Sequence, residues 1–230
     1  MTTQTQDAAA NNMNSIPATN TVTSSAEATA QSLYPENEAT TEEQQYRAGA
    51  YGLLAALLRS PPEQALLDHV AALAAVEQRN DELSLAMSML GLAARDSAPE
   101  TIDAEYHALF IGLGRGELVP FGSWYLTGFL MEKPLSVLRD DLAMLGFERH
   151  NDTHEPEDHV AALSEVMAML ISDGQALSCQ VDFFDAHLAP WVERLFTDLS
   201  TAKNAVFYRA VGRFGNAFIE FERNYLNMNV

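Results

Sequence analysis

The sequence predicts an all-α fold: a single bundle of about eight or nine helices behind a disordered N-terminal tail. Three observations carry that expectation. Near the C-terminus, Phe207, Val211, Phe214, Phe218, Phe221 and Tyr225 recur every three or four residues, the period of one helix face. Two further stripes repeat the pattern, one through Leu53, Leu54, Leu57 and Leu58 and one through Val160, Leu163, Val166, Met167, Leu170 and Ile171. No stretch alternates apolar and polar residues with the β-branched enrichment of a strand.

The elements follow in order. Residues 1–40 are rich in Thr, Ser, Asn, Gln and Ala and poor in large apolar groups. Such a segment cannot bury enough surface to offset its ordering entropy, so the helical domain is expected over 41–228. Thr40-Thr41-Glu42-Glu43 reads as a capping box. A stripe through Tyr46, Ala50 and Leu53 to Leu58 then runs to Ser60-Pro61-Pro62, a stop signal. Helices are expected over about 62–77, 80–95 and 99–111. The segment 112–128 holds five glycines with Pro120, Phe121, Trp124 and Tyr125, and reads as a loop carrying aromatic rings. Helical spacing returns over 134–145 and stops at Gly146. Further helices fit 157–173, 179–188 and 190–200, before the long last one.

Composition excludes some function classes. The chain has 230 residues and a formal charge of −19. A surface this acidic repels phosphate backbones, so nucleic acid is not an expected partner, whereas cationic partners are favoured. Cys179 is the only cysteine, which rules out an internal disulfide and fits a reducing compartment. The N-terminus lacks the basic and apolar regions of a signal peptide. No apolar run approaches the ~18 residues of a membrane span. These features predict a cytoplasmic protein with no membrane insertion.

The densest chemistry lies at His154-Glu155-Pro156-Glu157-Asp158-His159. Three carboxylates and two imidazoles stand at the expected start of a helix, where free N–H groups and the dipole favour acids. Pro156 suits a first helical turn, and Asp158 is the expected cap. His150, His154 and His159 with the adjoining acids would suit a metal-dependent hydrolase. However, His154 and His159 miss the i, i+4 register of a helical metal pair. No nucleophile elbow accompanies them. Gly112-Leu-Gly114-Arg-Gly116 lacks the ending of a phosphate-binding loop, and reads as a hinge or close backbone approach. Trp124 and Tyr125 are candidate anchors for a peptide.

Taken together, Tyr106-His-Ala-Leu109-Phe110-Ile-Gly112-Leu-Gly114, then Pro120-Phe-Gly-Ser123-Trp124-Tyr125, then Glu155-Pro156-Glu157-Asp158-His159 resembles the TorD/DmsD/NarJ family. These are chaperones for molybdenum-cofactor redox enzymes. The resemblance spans roughly 45–225. It implies a TorD-like all-α fold, no catalysis and no cofactor of its own. It also implies binding of an apo-molybdoenzyme and its twin-arginine leader peptide. The matching residues, expected to bind the client, are Tyr106, Leu109, Phe110, Gly112, Gly114, Pro120, Ser123, Trp124, Tyr125, Glu155, Pro156, Asp158 and His159. On this reading Glu155, Glu157 and Asp158 receive guanidinium groups, the rings cover the apolar part, and His159 tunes the site near neutral pH. The hinge at 112–116 and the loop at 146–156 would permit a domain-swapped homodimer.

Overall fold

A computed structural model describes residues 41–75, 81–112, 115–148 and 155–229, with the side chain of Asn229 left out. The expected tail over 1–40 lies outside them, as do Gly114, His150 and His154. Ten α-helices form the described part: α1 (Glu42–Arg59), α2 (Gln64–Ala71), α3 (Glu82–Arg95), α4 (Pro99–Tyr106), α5 (Gly122–Thr127), α6 (Lys133–Met144), α7 (Val160–Ser172), α8 (Leu177–His187), α9 (Val192–Thr201) and α10 (Phe207–Asn229). A 3-10 turn (Ala72–Ala75) extends α2 and a π turn (His107–Ile111) extends α4. The fold is all-α, with one more helix than expected. The addition is α5, folded inside the glycine-rich stretch that the sequence presents as a loop. None of these helices is long and apolar enough to cross a membrane.

The helix starts show how local signals were used. Thr41 caps α1, but its box partner is Gln44: Gln44 N donates to Thr41 Oγ1 (3.2 Å) and Thr41 N donates to Gln44 Oε1 (2.9 Å). Glu42 and Glu43 occupy the first turn instead, where the dipole favours them. Tyr46, expected in the core, is 69% exposed. The inward face runs through Arg47, Tyr51, Leu54, Ala55 and Leu58. Its rotation follows from a buried ion pair. Arg47 Nε and Nη2 donate to Glu222 of α10 at 2.7 and 2.6 Å, Gln180 accepts at 2.9 Å, and the Tyr225 ring lies 4.2 Å from the guanidinium carbon. Tyr46 looks apolar and Arg47 looks solvated until α10 supplies that partner.

Helix α10 carries the main stripe. Phe207, Tyr208, Val211, Phe214 and Phe218 are buried, whereas Phe221 is exposed and Glu222 takes the inward place beside it. α9 lies against this helix, and α7 lies along α1. A Cβ on Gly212 would stand 2.7 Å from Ser200 N, so that contact requires a glycine. The start of α10 is capped from a distance. The carboxylate of Glu105, on α4, accepts from the backbone N–H of Val206, Phe207 and Tyr208 at 2.7–3.0 Å. Three otherwise orphaned donors are thereby satisfied, and α4 is fixed against α10. Glu117 likewise accepts from the amides of Lys203 and Asn204, and these bonds lower its pKa.

Candidate functional site

The first motif closes α4 with a π turn. Tyr106 is buried and its hydroxyl donates to the carbonyls of Arg59 (2.9 Å) and Leu58 (3.3 Å). Those are orphan acceptors at the end of α1, so the ring ties α4 to α1. Phe110 lies 5.0 Å from the Tyr106 ring and 5.4 Å from that of Tyr208. Leu109 is fully buried. Gly112 N donates to His107 O at 2.7 Å, the longer-range bond that defines the π turn. Gly112 has φ +59, and a Cβ there would collide with the Arg115 carbonyl. Only glycine serves at that reversal. Leu118 N then donates to Leu109 O (2.8 Å), turning the chain back along the motif.

The second and third motifs meet directly. Val160 N donates to Pro120 O and Gly122 N donates to Asp158 O, both at 2.9 Å, an antiparallel bridge between Phe121 and His159. The Phe121 and His159 rings pack edge to face at 4.9 Å. Asp158 Oδ2 accepts from Ser123 N at 2.7 Å. Asp158 therefore satisfies the start of α5, not of its own helix. The cap of α7 is His159, whose Nδ1 accepts from Ala161 N at 3.1 Å. Pro156 lies in the preceding turn, outside the first helical turn expected for it, and its carbonyl accepts from His159 N. A sequence of three polar residues before an apolar stripe does not say which one caps, because the α5 contact that claims Asp158 comes from 35 residues away.

This seam is largely closed. Asp158 and His159 are each 3% exposed. Burial, and then the nearby Arg59 charge, push the His159 pKa down to about 4. A neutral ring also suits an Nδ1 that accepts a hydrogen bond. His159 thus stays neutral near pH 7, in contrast to the tuning role read from the sequence. Glu157 is engaged by Arg139 of α6 at 2.8 and 3.0 Å. Glu155 is exposed, and its charge adds to burial in pushing the Tyr106 pKa up to about 12. Ser123 Oγ and Asp158 Oδ1 are buried with no hydrogen-bond partner.

The rings at the seam are half-buried. Arg115 lies over Trp124, its guanidinium carbon 4.8 Å from the ring centroid. The Tyr125 hydroxyl donates to Asp198 (2.9 Å), and burial with that carboxylate raises its pKa. Tyr125 also packs 5.5 Å from Trp191. Trp191 is the ring that sequence reasoning passed over. It is buried, donates from Nε1 to His187 O at 2.7 Å, and leaves room at Gly122 for no larger residue without a shift. Its signal was modest: the second of two tryptophans, in Ala189-Pro190-Trp191. Also unread were Arg59–Glu165, bidentate at 2.8 and 2.5 Å, and His187–Asp141 at 2.8 Å, which join α1 to α7 and α6 to α8.

Beyond Tyr125 the surface turns apolar, with Leu126, Phe129, Leu130 and Met131 all exposed. Two clefts, of about 390 Å³ beside Trp191 and about 620 Å³ between α3 and α10, are lined by other residues than the three motifs. Among the described residues, no three His, Cys, Asp or Glu side chains are placed to hold a metal. The hydrolase reading also needs His150 and His154, which lie outside the described residues, and it gains no support.

Comparison with known proteins bears on the whole arrangement. Residues 67–197 match the model of a family described as nitrate reductase delta subunit. The chain is 31% identical over 148 residues to the chaperone protein TorD of Vibrio cholerae serotype O1, covering 59% of this chain and 67% of that one. It is 26% identical over 160 residues to TorD of Aliivibrio salmonicida, covering 64% and 74%. Its fold is similar to that in a crystal structure of a candidate redox enzyme maturation protein from Archaeoglobus fulgidus. There the TM-score is 0.50 at 18% identity, over 84% of this chain and 99% of the other.

Proposed function

Since the chain belongs to the nitrate reductase delta subunit family, with its NarJ- and TorD-type members, we propose that it is a cytoplasmic chaperone. Its client is the apoprotein of a molybdenum-cofactor oxidoreductase, bound through the twin-arginine leader and held until cofactor insertion and folding are complete. The chain performs no bond chemistry in this role. Of the residues the resemblance implies, Leu109, Asp158 and His159 are buried and serve by shaping the site, whereas exposed Glu155 and half-buried Trp124 and Tyr125 face the client.

One observation carries this reading. The second and third motifs meet at one seam, and in it Ser123 Oγ and Asp158 Oδ1 are buried and unpaired. Unpaired buried polar atoms destabilise a fold, by roughly 1–3 kcal/mol each. Arg47 Nη1 and Tyr51 Oη in the core are unpaired too; the seam atoms differ in lying where two of the three motifs meet. A guanidinium can donate to both seam atoms once the seam opens, and to exposed Glu155 without that opening. The division of labour differs from a simple acidic rim. Asp158 is buried and Glu157 partly so, whereas Glu155 is the solvent-exposed carboxylate of the three. Exposed charge pairs are worth only about 0–1 kcal/mol, so the charges set orientation and encounter rate while apolar burial supplies affinity.

The test is a calorimetric titration of a synthetic twin-arginine leader peptide against wild type, Asp158→Asn and Glu155→Gln. Asparagine retains an acceptor for Ser123 N and removes the charge. Weaker binding by both variants, with unchanged thermal unfolding, supports the seam as the site. Undiminished affinity in both removes it.

A further inference from the structure

The turn at 126–131 presents large apolar side chains to solvent and is built to hold them there. Phe129 and Met131 are 68% and 70% exposed, flanked by exposed Leu126 and Leu130. Gly128, at φ +85, ends α5, and its N–H donates to Trp124 O at 2.8 Å. The Thr127 hydroxyl donates to Ser123 O (2.8 Å) and accepts from Phe129 N (3.2 Å). Met131 has φ +59, the only non-glycine among the described residues in the left-handed region. That conformation is costly for a long side chain and persists only where its surroundings impose it. A turn braced at both ends by helices, strained at its last residue and covered with exposed apolar groups has the character of a contact surface.

The charge of the molecule selects the occupant. With a formal −19 over the chain, a second copy is repelled and a cationic segment is attracted. Exposed Glu132 follows Met131 directly, with exposed Lys133 after it. Exposed Asp140 lies further along α6 beside Arg139, whose charge is taken by Glu157, so the acidic bias is that of the whole chain. Geometry selects the order of groups along that segment. The six residues of α5 span about 9 Å, which is roughly three residues of extended chain. We propose that the turn at 126–131 seats the apolar run of a cationic client peptide, with Phe129 and Met131 as the side chains that select for it. This rests on the leader-binding reading above and adds the second half of the footprint. The charges of the peptide lie at the mouth of the Ser123/Asp158 seam, and its apolar residues begin about three positions further on.

Two synthetic peptides test it by calorimetry. Both carry paired arginines; in one a leucine-rich run follows, in the other serines replace that run. Met131→Asn is the informative variant, because asparagine tolerates the left-handed conformation and the fold should melt no lower than wild type. Phe129→Ser is the second. Each should weaken the leucine-rich peptide by about tenfold and leave the serine peptide unchanged. Equal affinity of wild type and both variants for the leucine-rich peptide overturns the proposal. If Asp158→Asn weakens both peptides while the turn variants bind as wild type, the turn is excluded and the leader reading stands. If wild type binds neither peptide, the leader reading falls and takes this proposal with it. Sedimentation equilibrium supplies the last outcome. A dimer that Phe129→Ser dissociates, with peptide affinity intact, assigns the turn to self-association and overturns the proposal.

Discussion

Two arginine–glutamate pairs in this protein have nearly the same geometry and opposite consequences. Arg47–Glu222 closes at 2.6 Å with both side chains at most 1% exposed. Arg139–Glu157 closes at 2.8 Å with Arg139 half exposed. The first joins α1 to α10 inside the core. The second joins α6 to the last of the three motifs at the surface. Distance alone does not rank them, because the desolvation that makes a lone partner costly exists only for the buried pair. The contrast bears on the proposed function, since a carboxylate can wait for a client only where solvent or a loose partner keeps its place.

The largest expected effect follows from breaking the buried pair. Glu222→Ala strands the Arg47 charge and should lower unfolding stability by about 3–5 kcal/mol in urea titrations. Replacing both partners by apolar residues of similar volume, Arg47→Met with Glu222→Leu, should restore most of that loss. A double variant as unstable as the single one would show that the pair does more than satisfy itself.

Next comes His159, buried without an acidic partner. Its folded pKa of about 4 lies below the ordinary value of 6.5, so the unfolded chain takes up the proton first. Stability is therefore level above about pH 6.5 and falls as the pH drops towards 4, by about 3 kcal/mol in all. His159→Gln keeps an acceptor for Ala161 N and should flatten that slope. An unchanged slope would assign the acid sensitivity to other groups.

Asp158→Ala stands between the two extremes. It removes the acceptor of Ser123 N and should reduce stability by about 1–3 kcal/mol, whereas Asp158→Asn should lose far less. Smallest is the surface pair. A double-mutant cycle on Arg139 and Glu157 should give a coupling below about 1 kcal/mol that fades with added salt. A salt-insensitive coupling larger than that would make Glu157 part of the seam's framework.

The candidate site was legible in the sequence to different depths. The three motifs, their order and the glycine at 112 were visible, because a reversal with φ +59 leaves one residue type. The caps were not. Asp158 is the preferred type of cap and His159 is not, yet His159 caps α7 because Ser123 N, arriving across the seam, claims Asp158. Helix α5 was hidden for a related reason. It has six residues, too short for an apolar period to show, and is held by Asp158 and by Trp191 behind Gly122.

What the chain determined by itself was its class and the places where it turns. Apolar spacing at three and four residues, capping at Thr41, stops at Ser60-Pro61-Pro62 and Gly146, and a heavy excess of acids are all local properties. They act through the backbone within a turn or two. The tertiary structure alone decided which face of α1 points inward, which acids remain for a partner and which rings stay in solvent. Those outcomes depend on pairs far apart in the chain, such as Arg47 with Glu222 and Asp158 with Ser123. The worth of a charge or a ring follows from how much water its neighbours remove, and only the packed chain sets that.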